Sequence, residues 1–320
     1  MSSSSFLSPA LPTVAVEIAR HRVSAAAIAS RGGALSVTAH AIEPLPPGAV
    51  VPALNAANIV DRKAVAEALR QVFERIGARP KRVALAIPDS VAKVSLLRFE
   101  KVPARPRDLE ELITWQVRKA APFRIEDAQI SFVPSLKTPD GATEFVVVMA
   151  RKDIVREYEA ACEDAGAQAG IVDLTTFNVI NAVLAGPQRP TDDWLLVHVT
   201  PEDATMAILR GDALVFFRNR IADGEAGLAD LVHQTAMYYE DRLSGSGFGR
   251  VVLSGGGAPA GEGTQDADYL RRALEDRLGT TVDAVNPRNA ATFMDRISAS
   301  TELLETLAPL VGLLARDRAA

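Results

Sequence analysis

Apolar residues along this chain alternate between strand spacing and helix spacing, and the resulting order of elements occurs twice. In the first half, three strands are predicted, over 13–19, 23–28 and 35–42. A helix is predicted over 62–76, with Asp61 as its N-cap, because its apolar residues form one stripe. The almost wholly apolar segment 82–88 then predicts a strand that is buried on both faces.

The same order returns after residue 193. Three strands are predicted from the segments WLLVHV, ATMAIL and ALVFFR, and a helix of about twenty residues follows them. The segment RVVLSGGG, over 250–257, predicts another buried strand. A glycine turn joins the second and third strands of each half, as RGG at 31–33 and as RGD at 210–212. This repeat predicts two related domains with a cleft between them.

The segment between the two halves has a different pattern. A strong amphipathic helix is predicted from residue 109 to the break at Pro122, with Asp108 and Glu111 as a capping box. Two strands and a second helix follow, which together predict a small α+β insert. The predicted organisation is a disordered tail over 1–12, a first domain over 13–190 with an insert at about 104–170, a second domain over 191–290, and a C-terminal segment over 291–320 whose helix returns to the first domain.

Composition narrows the function classes. The chain has 320 residues, of which 48% are hydrophobic and 23% charged, as expected of a folded globular protein. The net charge of −5 argues against general nucleic-acid binding. The single cysteine, Cys162, excludes an intramolecular disulfide, and four histidines without paired spacing predict no metal site. Without a long apolar run or a signal peptide, we expect a cytoplasmic protein that reaches a membrane only through a partner.

Several segments, in their order along the chain, resemble the PilM family of type IV pilus assembly proteins, a branch of the actin-like ATPases. These segments are 41–51, 58–77, 81–103, 109–128 and 250–258. The resemblance implies an α/β fold of the actin-like type, a duplicated RNase H-like fold in two domains. It also implies an adaptor of an inner-membrane assembly platform, which binds the cytoplasmic N-terminal tail of a PilN-like protein and reaches a PilO-like protein through it.

Many members of the family bind ATP, and the resemblance indicates where this chain would do so. Actin-like folds hold the phosphates with one strand-turn-strand loop from each domain and place a late glycine strand end beside the adenosine. The corresponding positions here are Glu17, Ala19, Arg20, Thr200, Gly255, Gly256 and Gly257.

Both phosphate loops depart from the family pattern. The first loop is EIARHRVS, so that Glu17 replaces an aspartate and Ala19 replaces a glycine, while Arg20 could still attract phosphate. In the second loop Thr200 stands where the glycine would be, and Pro201 removes a backbone donor. Losing two or three charge-assisted bonds would cost roughly 1.5–3 kcal/mol each. We therefore expect a pseudo-ATPase, in which the late glycines turn the chain tightly whether or not adenine is present.

Two alternatives stay open at this point: a working ATPase that holds ATP and magnesium in the interdomain cleft, and a protein that self-associates into filaments. His198 is interpreted as a loop histidine near solvent rather than as a catalytic group. For the partner, we expect an extended tail to dock between the first domain and its insert, with residues of 94–99 and 109–133 nearby. The partner-binding candidates are Leu97, Trp115 and Phe123, of which Trp115 lies off the apolar stripe of its helix and could equally be a packing residue.

Overall fold

A computed structural model describes residues 12–31, 34–187, 189–221, 224–255, 267–294 and 300–319. The strands are β1 (Val14–Ile18), β2 (Arg22–Arg31), β3 (Ala34–Pro44), β4 (Arg82–Ile87), β5 (Ala92–Phe99), β6 (Ala128–Lys137), β7 (Thr143–Arg151), β8 (Gln168–Leu174), β9 (Asp193–Val199), β10 (Asp203–Arg210), β11 (Ala213–Ile221), β12 (Arg250–Gly255), β13 (Val282–Ala284) and β14 (Thr292–Phe293). The helices are α1 (Arg62–Arg75), α2 (Pro106–Arg118), α3 (Lys152–Asp164), α4 (Thr175–Leu184), α5 (Gly224–Leu243), α6 (Ala267–Leu278) and α7 (Thr301–Ala319).

The predicted repeat is confirmed in the order of the strands. One sheet has the order β14-β3-β2-β1-β4-β8, and a second has the order β11-β10-β9-β12-β13. In each sheet the first strand of the repeat pairs antiparallel with the second strand and parallel with the strand that follows the helix. The strands β1, β4, β9 and β12 each have a neighbouring strand on both sides. Their residues are almost all buried, as their apolar sequences predict.

Helices cover both faces of the six-stranded sheet. On one face, α1 and α3 pack against the sheet in the largest apolar core, and Asp61 accepts a hydrogen bond from the amide of Ala64 as the predicted N-cap. On the other face, α7 packs against β1, β2 and β4 and also crosses α4. A Cβ on Gly312 would lie 1.7 Å from the carbonyl oxygen of Asn178, so the two helices touch through backbone at this point.

A third sheet, with the order β5-β7-β6, carries α2 on one face. Its extent differs from the predicted insert of about 104–170. The strand β5 begins at Ala92 and pairs with β7, whereas β8 pairs with β4 of the six-stranded sheet and α3 packs into the core of that sheet. Apolar periodicity predicts that a segment is a strand but not which distant strand it joins, and this is why the predicted bounds differ.

The start of α2 also differs from the prediction. The helix begins at Pro106 after Arg105, and no side chain caps its first turn, so the capping box of Asp108 and Glu111 is wrong. Proline suits the first position of a helix because its missing N–H has no intrahelical partner there. On the apolar stripe of α2, Ile113 and Val117 are buried against the three-stranded sheet β5-β7-β6, the small sheet.

Candidate functional site

A cleft of about 810 Å³ lies between the two large sheets. Two hairpin turns face each other across it: the first turn, residues 19–22, joins β1 to β2, and the second turn, residues 200–203, joins β9 to β10. The cleft brings together the described residues of the predicted nucleotide site, which are Glu17, Ala19, Arg20, Thr200 and Gly255. Gly256 and Gly257 lie outside the described residues.

The first turn is occupied by its own hydrogen bonds. The amide of Ala19 donates to the carbonyl of Arg22 at 3.0 Å. The carboxylate of Glu17 is buried and accepts from the hydroxyl of Thr175 at 3.3 Å and from the guanidinium of Arg22 at 3.4 Å. The residue that stands for the magnesium-binding aspartate is therefore already paired within the protein.

The second turn closes on itself more completely. The amide of Thr200 donates to the carbonyl of Asp203 at 2.9 Å, and the hydroxyl of Thr200 accepts from the amides of Glu202 and Asp203 at 3.3 and 3.1 Å. Residue 201 is proline and has no amide hydrogen. Each amide of this turn thus already donates a hydrogen bond within the turn, and position 201 has no amide hydrogen to donate.

An ion-pair bridge joins the tips of the two turns. The carboxylate of Glu202 lies 3.4 Å from the Nε atom of Arg20 and 2.5 Å from the Nε2 atom of His21. The arginine that could have attracted phosphate therefore faces an acidic side chain of the opposite turn. A phosphate group entering between the turns would have to displace this carboxylate.

The floor of the cleft contains a buried carboxyl group that the sequence analysis did not single out. Asp89 accepts hydrogen bonds from the amide and hydroxyl of Thr176 and, at 2.8 Å, from the hydroxyl of Thr205. Burial raises the pKa of Asp89, and the same cause, together with the nearby Asp89 charge, raises the pKa of Asp203. The available signal was a polar residue just after the buried strand of 82–88.

His198 is not a loop residue, so that part of the sequence interpretation was wrong, and its side chain is partly buried and lines the cleft. It lies on β9, and its Nδ1 atom is 3.3 Å from the hydroxyl of Ser254, which is fully buried. Burial lowers the pKa of the His198 ring below its ordinary value, so the ring is neutral at pH 7. Because Ser254 is closed to solvent, this pair cannot present a nucleophile to a ligand in the cleft.

Gly255 has a structural explanation that involves no nucleotide. Its φ angle is +84°, and a Cβ atom at this position would lie 2.0 Å from the carbonyl oxygen of Val199. Glycine is therefore required where the end of β12 bends past the end of β9.

The three predicted partner-binding residues do not lie on one surface. Leu97 and Phe123 pack, partly buried, into the apolar core between the small sheet and α2. Trp115 lies on the outer face of α2 with 63% of its surface exposed. Beside Trp115, the outer face has a shallow concavity with charged residues of both signs, including Arg107, Glu111 and Arg118.

Within the ranges that the structure describes, no group of His, Cys, Asp and Glu side chains is placed to hold a metal ion. In the same ranges, no helix combines the length and the apolar character needed to cross a bilayer.

The paired sheets, the crossing helices and the cleft between them define an actin-like fold. A solved structure described as the "PilM-PilN type IV pilus biogenesis complex" matches with a TM-score of 0.78 and 19% identity, over 98% of this chain and 100% of that chain. A protein of Bacteroides thetaiotaomicron with an actin-like ATPase fold and unknown function matches with a TM-score of 0.50 and 12% identity, over 87% of this chain and 92% of that chain. The family model of the type IV pilus assembly protein PilM matches residues 15–242. The chain belongs to the PilM family.

Proposed function

We propose that this protein is a nucleotide-independent adaptor of a type IV pilus assembly platform, and that it binds the N-terminal cytoplasmic tail of a PilN-like inner-membrane protein. Family membership and the similarity to a PilM-PilN complex over nearly the whole chain support the choice of partner. Through that partner, the protein would be peripheral to the inner membrane and connected to a PilO-like protein.

The internal pairing of both phosphate loops carries the nucleotide-independent part of the proposal. Three amides of the second turn donate hydrogen bonds within the turn itself, and the remaining residue, Pro201, has no amide hydrogen. When phosphate enters, these amides exchange a hydrogen bond within the turn for one to phosphate. The net gain in binding free energy is therefore small. We therefore assign the cleft no role in ATP hydrolysis.

The small sheet and α2 are the best location for the tail. The strands β5 and β6 each pair only with β7 within this sheet, so each has an edge at which an extended peptide can add backbone hydrogen bonds. Near the β6 edge, Val133 is 57% exposed, and Trp115 is the largest exposed aromatic side chain of α2. Exposed apolar residues of this kind can anchor a peptide.

The test is a fluorescence titration with a labelled peptide that carries the N-terminal cytoplasmic tail of a PilN-like protein. We expect Trp115→Ala and Val133→Asp each to weaken binding about tenfold or more. Val60→Asp is the matched control, because Val60 is also an exposed valine but lies next to α1, outside the small sheet. The location would be refuted if all three variants bound the tail like the unaltered protein.

The same protein is then titrated with a fluorescent ATP analogue and Mg²⁺. We expect no binding at millimolar nucleotide and no change in tail affinity when Mg·ATP is added. Binding at micromolar concentration would instead support the ATPase alternative.

A further inference from the structure

The interdomain cleft has the size and the walls of a ligand pocket, although its turns are unsuited to phosphate. Its volume of about 810 Å³ falls in the range of small-molecule and peptide pockets. Apolar side chains from both halves line its walls, among them Ile42, Leu54, Val199, Pro201, Ile221 and Pro309. Ile221 is 77% exposed at the end of β11, so apolar surface continues to the entrance.

The charge of the cleft is opposite to that of a nucleotide site. Among the described residues, six carboxyl groups and two arginines line it. Both arginines already have acidic partners, because Arg22 pairs with Glu17 and Arg20 pairs with Glu202. The other four carboxyl groups, those of Asp89, Asp203, Glu302 and Glu305, have no arginine partner among the described residues of the lining.

Two of these four carboxyl groups stand on the wall formed by α7. Glu302 and Glu305 are one helical turn apart and line the cleft together with Thr306 and Pro309. Pro309 lies inside the helix and has no N–H to donate to the carbonyl of Glu305. Among the described residues, no lysine or arginine forms an ion pair with either glutamate. Partial burial, and then the charge of Glu302, raise the pKa of Glu305 to about 7.

We propose that the cleft binds a cationic peptide segment, in which a lysine or arginine is flanked by apolar residues. The ammonium or guanidinium group lies against Glu302 and Glu305, and the apolar neighbours pack on the cleft walls. The argument is charge complementarity: a cation is attracted to the exposed Glu302 carboxylate and to the partly buried Glu305 carboxyl group beside it, whereas a triphosphate is repelled by them. This site is separate from the one assigned above to the PilN-like tail.

The test is isothermal titration calorimetry of the 320-residue chain with a blocked hexapeptide that contains two lysines among four leucines. A matched peptide with glutamate in place of each lysine measures the apolar contribution alone. We expect the lysine peptide to bind at least about tenfold more tightly than the glutamate peptide. We expect the double variant Glu302→Gln/Glu305→Gln to remove most of that difference, and Glu240→Gln, an exposed glutamate of α5, to retain it.

Equal affinity for the two peptides, or no binding of the lysine peptide at millimolar concentration, would overturn the proposal. So would a double variant that folds, by circular dichroism, and binds the lysine peptide like the unaltered protein. Trp115→Ala separates the two sites: it weakens the tail and leaves the lysine peptide unaffected. The two proposals are therefore tested independently. A negative result for the cleft site leaves the adaptor function unaffected, and a negative result for the adaptor function leaves the cleft site unaffected.

Discussion

At the scale of single residues, the two hairpin turns show what residue identity alone predicts about phosphate binding and what it does not. The replacement of small and acidic residues by Ala19, Thr200 and Glu17 predicted weak phosphate binding. The structure is consistent with this prediction, because the Thr200 hydroxyl and the Ala19 amide complete hydrogen bonds within their own turns. The bridge from Glu202 to Arg20 was not predictable, since those residues are far apart in the sequence.

Glu305 predicts a pH dependence of stability. Its pKa is raised from 4.5 to about 7, so the folded protein holds a proton over a pH range in which the unfolded chain has released it. The contribution of Glu305 to the free energy of unfolding is therefore full below about pH 4.5 and is lost as the pH rises towards 7. We expect Glu305→Gln to be more stable than the unaltered protein at pH 8, by about 1 kcal/mol after allowance for its partial exposure, and the difference to vanish near pH 4.

Urea unfolding at several pH values measures this difference. Glu240→Gln is the control, because this exposed glutamate of α5 has no such environment. A stability difference for Glu305→Gln that does not change with pH would contradict the assigned cause.

At the scale of secondary-structure elements, the contact between α7 and α4 limits how the C-terminal helix can pack. The sequence predicted a helix over 301–316 from its regular leucines, and the structure has it over Thr301–Ala319. The leucine pattern does not reveal that Gly312 meets the backbone of α4. Close backbone contact between helices requires a residue without a side chain at that point.

We expect Gly312→Ala to destabilise the protein by about 2–3 kcal/mol, because the added methyl group would overlap the Asn178 carbonyl and push the helices apart. Alanine alone would favour the helix by about 1 kcal/mol, so the sign of the change separates packing from helix propensity. Chemical unfolding gives the free energy. Thr301→Ala, at the exposed start of the same helix, should stay within about 0.5 kcal/mol of the unaltered protein.

At the scale of the whole molecule, the two large sheets are linked at the floor of the cleft as well as at its entrance. Asp89 follows β4 of the six-stranded sheet, and Thr205 lies on β10 of the five-stranded sheet. Their hydrogen bond of 2.8 Å is fully buried, and Asn219 also donates to the Thr205 hydroxyl at 2.9 Å. This hydrogen bond between Asp89 and Thr205 joins the two halves of the repeat. A movement of one half relative to the other would open or close the cleft.

A double-mutant cycle of Asp89→Asn and Thr205→Val tests whether this link couples the halves. We expect Thr205→Val to lower the free energy of unfolding by about 1–3 kcal/mol, because it leaves buried polar groups without a partner. We expect a coupling energy with Asp89→Asn of about 1 kcal/mol or more. Thr235→Val is the control, since the buried Thr235 hydroxyl donates only to Leu231 of its own helix; a cycle with Asp89→Asn and this variant should be additive.

The sequence by itself determined the order of strands and helices, the repeat of that order and the membership in the actin-like class, and it predicted weak phosphate binding. These follow from local periodicity, turn residues and the identity of a few positions. Only the tertiary structure decided that β5 pairs with β7, that Asp89 joins the two sheets, and that Glu202 forms an ion pair with Arg20 of the opposite turn. The reason is physical: each of these contacts joins residues that are far apart along the chain, and side-chain hydrogen bonds and ion pairs leave no period in the sequence.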